Sequence, residues 1–211
     1  MMKKSKLTRP VWAEVNLDNI KFNLNQVKKN VPEETLIMAV VKADAYGHGV
    51  IPVAEAAVEA GADRLAVALP EEGRDLREAG FELPIQILGE VLPGQVSILV
   101  NNELIPTISK IETVELLNRL AEEKGITKKV HVKVDTGMGR IGVFPDNAVD
   151  FIKEIMSFKN IEVEGLMTHF AKADEEDKEY TYNQWDQFQM VIDRLAEENI
   201  EIPIKQAANS A

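Results

Sequence analysis

Short apolar runs alternate along this chain with longer segments whose apolar residues recur at helical spacing. Runs of four to seven residues indicate buried β-strands, and the longer spacing indicates helices that bury one face. The segment "PEEGRDLREAGF" (70–81) is typical, because a glycine stands where its helix should end. The seven apolar runs are "TLIMAVV" (35–41), "RLAVAL" (64–69), "PIQIL" (84–88), "LIPTIS" (104–109), "KVHVKV" (129–134), "VEGLM" (163–167) and "IPIKQ" (202–206).

Strands that alternate with helices predict an α/β fold with parallel strands and crossover helices. An open doubly wound sheet and a TIM-type (β/α)8 barrel both fit this alternation. A complete barrel has eight strands and about 250 residues, whereas this chain of 211 residues shows seven βα units. If the fold is a barrel, we expect it to be incomplete, with no eighth strand.

The stretch "VWAEVNL" (11–17) alternates apolar and polar residues, as a half-buried strand does. It has no place in an all-parallel barrel and would suit an antiparallel partner. We therefore predict an N-terminal extended strand segment over residues 1–17 and a partial α/β barrel domain over residues 18–211. In the helical pattern of "NQWDQFQMVIDRLAEEN" (183–199), we expect Trp185 and Phe188 to lie in the core.

Composition and charge narrow the class of protein. The net charge of −11 argues against a nucleic-acid or anionic-membrane surface, which needs clustered Lys and Arg. The absence of cysteine excludes disulfides and thiolate metal sites, and we assign no metal ligands. No apolar stretch is long enough to span a membrane, and no apolar region follows the basic start "MMKKSKLTRP" as in a signal peptide. We expect a cytoplasmic protein.

Four polar residues follow the ends of predicted strands. Lys42, Arg140, His169 and Ser210 come just after the first, fifth, sixth and seventh strands. Each has an ordinary interpretation, as a solvated lysine, a loop arginine, a packed histidine or a helix cap. In a barrel, however, these strand ends form the face that carries active sites. Their shared placement favours a functional Lys42, whose partly desolvated amine could act as nucleophile or base.

Two loops add further candidates. In "KADAYGHG" (42–49), Tyr46 is either a packing residue or a donor to a phosphate, and we interpret His48 as structural. The glycines of "HVKVDTGMGRIG" (131–142) allow close approach to a ligand but lack the spacing of a dinucleotide or P-loop motif. At the other end, Asn209 and Ser210 are predicted to cap a helix whose amides can bind phosphate.

Taken together, these motifs resemble the alanine racemase family. The resemblance runs nearly end to end through "RPVWAEVNLDNI", "VVKADAYGHG", "HVKVDTGMGRIG", "MTHFAKADE" and "QAANSA". It implies the N-terminal barrel of a pyridoxal 5'-phosphate (PLP) enzyme of fold type III. Such an isomerase interconverts L-alanine and D-alanine by two-base proton transfer and supplies D-alanine for peptidoglycan.

The resemblance also implies residue roles. Lys42 would carry PLP as a Schiff base and serve as one catalytic base. Arg140 would bond the phenolic oxygen of PLP and help to place the substrate carboxylate, and His169 would lie beneath the pyridine ring.

The phosphate contacts and one modified residue come from the same resemblance. Tyr46, Asn209 and Ser210 would contact the phosphate of PLP. Lys133 matches a lysine that some family members carry as a carbamate, with an ordinary strand lysine as the alternative.

In the family, the second base is a tyrosine from the C-terminal β-domain of a partner subunit. The resemblance therefore implies a homodimer with shared active sites, and we expect the 211-residue chain to be a truncated form, nearly inactive alone. The alternatives are a PLP-binding homeostasis protein or a decarboxylase-like barrel without racemase activity.

Overall fold

The computed structural model describes residues 11–209, and all seven predicted strands are present there. None of the helices in this range is both long and apolar enough to cross a membrane. The strands are β1 (Met38–Val40), β2 (Arg64–Val67), β3 (Ile85–Ile87), β4 (Ile105–Ile108), β5 (Lys128–Lys133), β6 (Ile161–Met167) and β7 (Ile204–Gln206).

Helices follow the strands, as the periodicity predicts. A short 3-10 helix over Pro93–Gln95 precedes the fifth of them. The helices are α1 (Leu17–Lys29), α2 (Lys42–Gly47), α3 (Val50–Glu59), α4 (Pro70–Glu78), α5 (Val96–Asn101), α6 (Ile111–Lys124), α7 (Pro145–Met156) and α8 (Glu179–Glu197).

The strand order of the sheet distinguishes the barrel from the doubly wound sheet, the two folds that the alternation allows. Its seven strands are all parallel and lie in sequence order from β1 to β7. A doubly wound sheet would reverse its strand order at a switch point, and this sheet does not. The sheet also curls: Nε2 of Gln206 on β7 lies 3.6 Å from the Met38 sulfur on β1. The fold is therefore an incomplete TIM-type barrel, as predicted.

Polar side chains fill the middle of the curled sheet. Gln86 donates to Gln206 Oε1 at 3.2 Å, and Gln206 donates back to Gln86 Oε1 at 2.9 Å. Gln86 also donates to Thr107 Oγ1 at 3.1 Å. Because buried amides need partners, these reciprocal bonds hold β3, β4 and β7 in one layer below the strand ends.

The hydrophobic core lies between the outer face of the sheet and the helices. Fully buried side chains on the strands, such as Leu65 and Val132, face buried helix residues such as Ile152 and Phe188. Phe188 is thus in the core as predicted, but Trp185 is 41% exposed, so that prediction was wrong. Gln184 occupies the buried position instead.

The N-terminal segment differs from the sequence-based expectation. Residues 11–16 pair with no strand among the described residues, and Leu17 already begins α1. The Asn16 side chain accepts the backbone N–H groups of Asp18 and Asn19 at 3.0 and 3.3 Å. Such an N-cap stabilises the first turn of a helix, and it outweighs the alternating pattern at this end. The domain boundary at residue 17 stays a prediction.

A β-bulge shapes the floor of the barrel, at the end opposite the predicted site. Val130 pairs with Val163 and His131 pairs with Gly165, so Glu164 is an extra residue in β6. The bulge turns Glu164 and Gly165 toward the interior together. Gly165 leaves room for the His131 ring, which is fully buried.

Glu164, which is itself buried, is the centre of an ionic cluster on this floor. Its carboxylate accepts from Arg64 at 2.9 Å, from Lys129 at 2.9 Å and from His131 Nε2 at 3.0 Å. Burial by itself would raise the pKa of Glu164, but hydrogen bonds from His131, Arg64 and Lys129 hold it well below its usual range. Burial lowers the pKa of His131, which favours the neutral form of the ring.

We expect Gly165→Ala to destabilise the protein, because the added Cβ would lie 2.2 Å from His131 Nδ1. Overpacking of this kind costs about 1–3 kcal/mol or more. Denaturant unfolding would measure the loss. Gly94→Ala is the matched control, since no heavy atom lies within 4 Å of its added Cβ; an equal loss in both variants would contradict the role of the bulge.

Glu164→Gln should lower the free energy of unfolding by about 3–5 kcal/mol at neutral pH, because it leaves a buried Arg64 without its counter-charge. The pKa of Glu164 is depressed by folding, so its contribution is fully present above the unfolded value of about 4.3 and is lost as the pH falls below it.

The difference in unfolding free energy between wild type and Glu164→Gln should therefore shrink on acidification. Exposed Glu162 on the same strand gives the matched control Glu162→Gln, which should show a small difference at every pH. A difference for Glu164→Gln that does not change with pH would contradict the assignment.

Candidate active site

Lys42 follows β1 at the point where the backbone leaves the sheet. The preceding Val41 is buried, and its N–H still donates to Ala66 O on β2 at 2.8 Å. Directly after Lys42, four residues in succession have left-handed dihedrals: φ is 52° at Ala43, 53° at Asp44, 51° at Ala45 and 57° at Tyr46. The loop predicted from the glycines is thus a left-handed turn, α2.

This turn is strained, because none of the four residues is glycine. The left-handed conformation costs roughly 1–2 kcal/mol for each such residue. Within the turn, Ala45 N–H donates to Val41 O at 2.9 Å, and Asp44 Oδ1 accepts Val50 N–H at 2.7 Å. The turn is therefore held at its far end by the start of α3.

The two other candidates in this turn have different environments. Tyr46 is 61% exposed, and its ring centroid lies 5.9 Å from Lys42 Nζ. His48 Nδ1 lies 2.9 Å from Ala45 O, a contact within the turn that agrees with a structural role.

The loop that carries Arg140 is closed at its base. Val134 and Val143 form a parallel bridge, and Asp135 N–H donates to Val143 O at 2.9 Å. Oδ1 of Asp135 accepts the N–H groups of Gly137 and Gly139 at 3.1 and 3.0 Å. The loop therefore has a defined path, with Arg140 exposed at its end.

The charges of the candidate residues act on one another. Burial lowers the pKa of His169, and three nearby positive charges lower it further. In order of effect, these charges belong to Lys133, Arg140 and Lys42. The structure thus brings together the side chains that follow β1, β5 and β6, at one end of the barrel.

Lys133 is almost fully buried at the end of β5. Its ammonium makes a long contact, 3.5 Å from Val134 O. Burial lowers its pKa to about 8; the negative charge of Asp135 opposes this shift, and the positive charge of Arg140 adds to it. A neutral amine is therefore far more accessible at Lys133 than at a solvated lysine.

Two of these cations have no counter-ion among the described residues. Within residues 11–209, neither the Lys42 amine nor the Arg140 guanidinium forms a hydrogen bond or ion pair with a side chain. The nearby carboxylate of Asp135 is already occupied by loop amides. Unneutralised positive charge at the open end of a barrel is suited to an anionic ligand.

The sequence analysis missed Gln184 of α8, because it predicted that the neighbouring Trp185 would be the buried residue. Its Nε2 donates to Thr136 Oγ1 at 3.3 Å and to His169 O at 3.1 Å, and its Oε1 accepts Ala171 N–H at 2.8 Å. Thr136 and Thr168 are also joined, at 2.7 Å between hydroxyls. The loops after β5 and β6 are therefore tied to each other and to α8.

The sequence analysis also missed Glu72, near the start of α4. Its carboxylate accepts Ala43 N–H at 2.6 Å, Ala68 N–H at 2.8 Å and Leu69 N–H at 2.9 Å. A glutamate three residues after a helix cap is a common local pattern. That pattern indicates the bond to Leu69, the N-cap of α4, but not the bond to Ala43, the residue after Lys42.

The phosphate-binding candidates at the other end of the chain are only partly described. Asn209 is exposed, and its Nδ2 donates to Phe170 O at 3.4 Å, next to His169. Ser210 lies outside the described residues. The assignment of all these residues to cofactor binding or catalysis stays a prediction.

Comparison with known proteins identifies the family. A family model described as "Alanine racemase, N-terminal domain" matches residues 15–211. The alanine racemase of Halothermothrix orenii is 60% identical over 206 residues, which cover 98% of this chain and 54% of that protein. The alanine racemase of Methanococcus maripaludis is 43% identical over 206 residues, covering 97% of this chain and 55% of that protein.

Solved structures agree with this result. That of alanine racemase from Clostridium difficile 630 matches with a TM-score of 0.93 at 43% identity, covering 97% of this chain and 57% of that one. A histidine racemase from Leuconostoc mesenteroides matches with a TM-score of 0.77 at 27% identity. The chain spans about half the length of the relatives that it matches. It belongs to the alanine racemase N-terminal domain family, a family of racemase enzymes.

Proposed function

We propose that this chain is the PLP-binding barrel of an alanine racemase that acts in the cytoplasm and supplies D-alanine for peptidoglycan. The observation that carries the proposal is the placement of Lys42. Its amine follows β1 at the open end of the barrel and lies within Coulombic range of His169, as Lys133 and Arg140 also do. The high identity to alanine racemases supports this function over that of a homeostasis protein or a decarboxylase-like barrel.

The residues present fit PLP. An aldehyde needs an amine, and the Lys42 amine has no carboxylate partner within residues 11–209. The anionic groups of PLP need positive charge, which Arg140 offers, and donors such as the exposed Tyr46 hydroxyl. The lowered pKa of His169 favours an uncharged imidazole, which suits contact with a planar ring. When bound, PLP supplies a conjugated ring that takes up the electrons of a broken Cα–H bond.

The chain's own residues then handle the substrate and one proton. Arg140 attracts the carboxylate of alanine and helps to orient its Cα–H bond. Lys42 Nζ accepts the Cα proton when one enantiomer reacts and returns a proton to the same face when the other reacts. Racemisation needs a second acid–base group on the opposite face, which gives a proton to Cα when Lys42 has taken one and takes the Cα proton when Lys42 gives one.

We propose that the second base comes from a partner subunit, in a homodimer whose sites are shared. The family resemblance supports this arrangement. The near inactivity expected of the 211-residue chain alone stays a prediction.

The choice of alanine rests on similarity rather than on fold. A structure titled histidine racemase shares this barrel at 27% identity, whereas alanine racemases match at 43% and 60%. The barrel by itself is therefore compatible with more than one amino acid as substrate, and alanine is the substrate that the higher identity supports.

Addition of PLP to the 211-residue chain should give a visible absorption band and, after borohydride reduction, a stable adduct on Lys42 found by peptide mass spectrometry. Lys42→Ala should abolish both signals, since the proposal assigns the bond with the PLP aldehyde to this amine. Lys153→Ala changes a surface lysine of α7 that pairs with Glu198, and it should leave both signals unchanged. An adduct that persists in Lys42→Ala would contradict the proposal.

Lys133 should form a carbamate with dissolved CO₂, because its pKa of about 8 makes the neutral amine available and Arg140 can pair with the new negative charge. NMR of the chain in ¹³C-bicarbonate should show a carbamate signal that grows as the pH rises toward 8 and is missing in Lys133→Ala.

Lys128 provides a demanding control for this experiment. Burial lowers its pKa to about 8 as well. However, Arg77, whose charge acts on Lys128, already donates to the carbonyls of Phe81, Leu83 and Asn102. Lys128→Ala should therefore keep the signal. Loss of the signal in Lys128→Ala and not in Lys133→Ala would overturn the assignment.

A further inference from the structure

We propose that Glu72 is a positioning residue that fixes the backbone of Lys42 through the left-handed turn α2. The inference rests on the proposed function, in which the Lys42 amine must be held in place to bind PLP. It starts from the bonds of a single carboxylate. Oε1 accepts Ala43 N–H at 2.6 Å, while Oε2 accepts Ala68 N–H and Leu69 N–H at 2.8 and 2.9 Å.

These three bonds join two separate segments at the same end of the barrel. Ala43 begins the turn after β1, and Ala68 and Leu69 follow β2 directly. The carboxylate also lies at the N-terminus of α4, where the helix dipole stabilises negative charge. Glu72 is thus anchored to α4 and β2 by one oxygen, and it holds the start of α2 with the other.

Lys42 lies between two fixed amides. On its N-terminal side, Val41 N–H is bonded to Ala66 O of the sheet at 2.8 Å. On its C-terminal side, Ala43 N–H is bonded to Glu72. No backbone carbonyl among the described residues accepts Ala43 N–H, so Glu72 supplies the bond that fixes this side.

The strain of the turn makes the bond necessary. Ala43 is the first of four non-glycine residues with left-handed φ, and it is exposed to solvent. Bonds within the turn begin only at Ala45 N–H, and the bond from Val50 N–H to Asp44 holds the far end. Without Glu72, the first residue of the turn could relax toward an ordinary conformation and carry the Lys42 amine away from Arg140 and His169.

Glu72→Gln tests this inference, because it keeps the shape of the side chain but leaves a single acceptor oxygen for amides on two sides. Hydrogen exchange of the Ala43 amide should be about tenfold faster or more, as expected for the loss of a hydrogen bond to a charged group. The Val41 amide, which the sheet holds, should exchange at the wild-type rate. The yield of borohydride-reduced PLP adduct on Lys42 should fall at a PLP concentration that half-saturates the unaltered chain.

Glu71→Gln is the matched control. It removes the same charge from the same turn of α4, but Glu71 bonds Gln95 and not α2. Both readouts should match those of the unaltered chain. Equal exchange at Ala43 in the Glu71 and Glu72 variants would overturn the proposal, and so would faster exchange at Val41 and Ala43 alike, which is the result of general destabilisation.

A second variant covers the case in which Glu72→Gln does not fold. Glu72→Asp keeps a carboxylate at the start of α4 but is one methylene too short to bond both segments, so Ala43 exchange should again rise selectively. Wild-type exchange at Ala43 in this variant would contradict the tether. If the unaltered chain forms no PLP adduct, the proposed function fails, and the exchange at Ala43 then decides the role of Glu72 separately.

Discussion

The whole arrangement depends on the point where the chain leaves β1. There the backbone changes within one residue from a sheet-bonded strand to a left-handed turn, and Lys42 lies at the junction. A long flexible side chain can only be aimed if its Cα is fixed. The sheet fixes one side of this Cα and a carboxylate from the neighbouring α4 fixes the other, so two adjacent βα units together determine where the amine lies.

The two ends of the barrel differ in whether their charged side chains are paired with opposite charges. On the floor, the bulge in β6 brings Glu164 to Arg64, Lys129 and His131, so that the buried charges of Glu164 and Arg64 are paired. At the other end, Lys42 and Arg140 have no pairing carboxylate within the described residues. Paired charge of the first kind fixes a structure, whereas positive charge that the protein leaves unneutralised is available to a ligand.

Strand positions and the places of Lys42, Arg140 and His169 after strand ends could be predicted from sequence, because both follow from local patterns. In a run such as "LAVAL" (65–69), every residue is apolar. A polar residue that directly follows such a run is therefore expected at a strand end. The contacts of Glu72 and Gln184 could not be predicted. Each of these side chains joins segments that are distant in sequence. The bulge at Glu164 depends on how β5 and β6 pair, which residue type does not indicate. The left-handed φ values of α2 give no signal either, because none of these residues is glycine.

The open edges of the curled sheet have a consequence for what can complete the barrel. Among residues 11–209, β1 and β7 each pair on one side only, and Val40 of β1 is 37% exposed. Interior side chains already meet across this gap, at Met38 and Gln206. A strand that enters it in parallel with both neighbours must run in the same direction as β1. Its last residues would then emerge beside Lys42. The strand that closes the cylinder would therefore also add side chains next to the Lys42 amine.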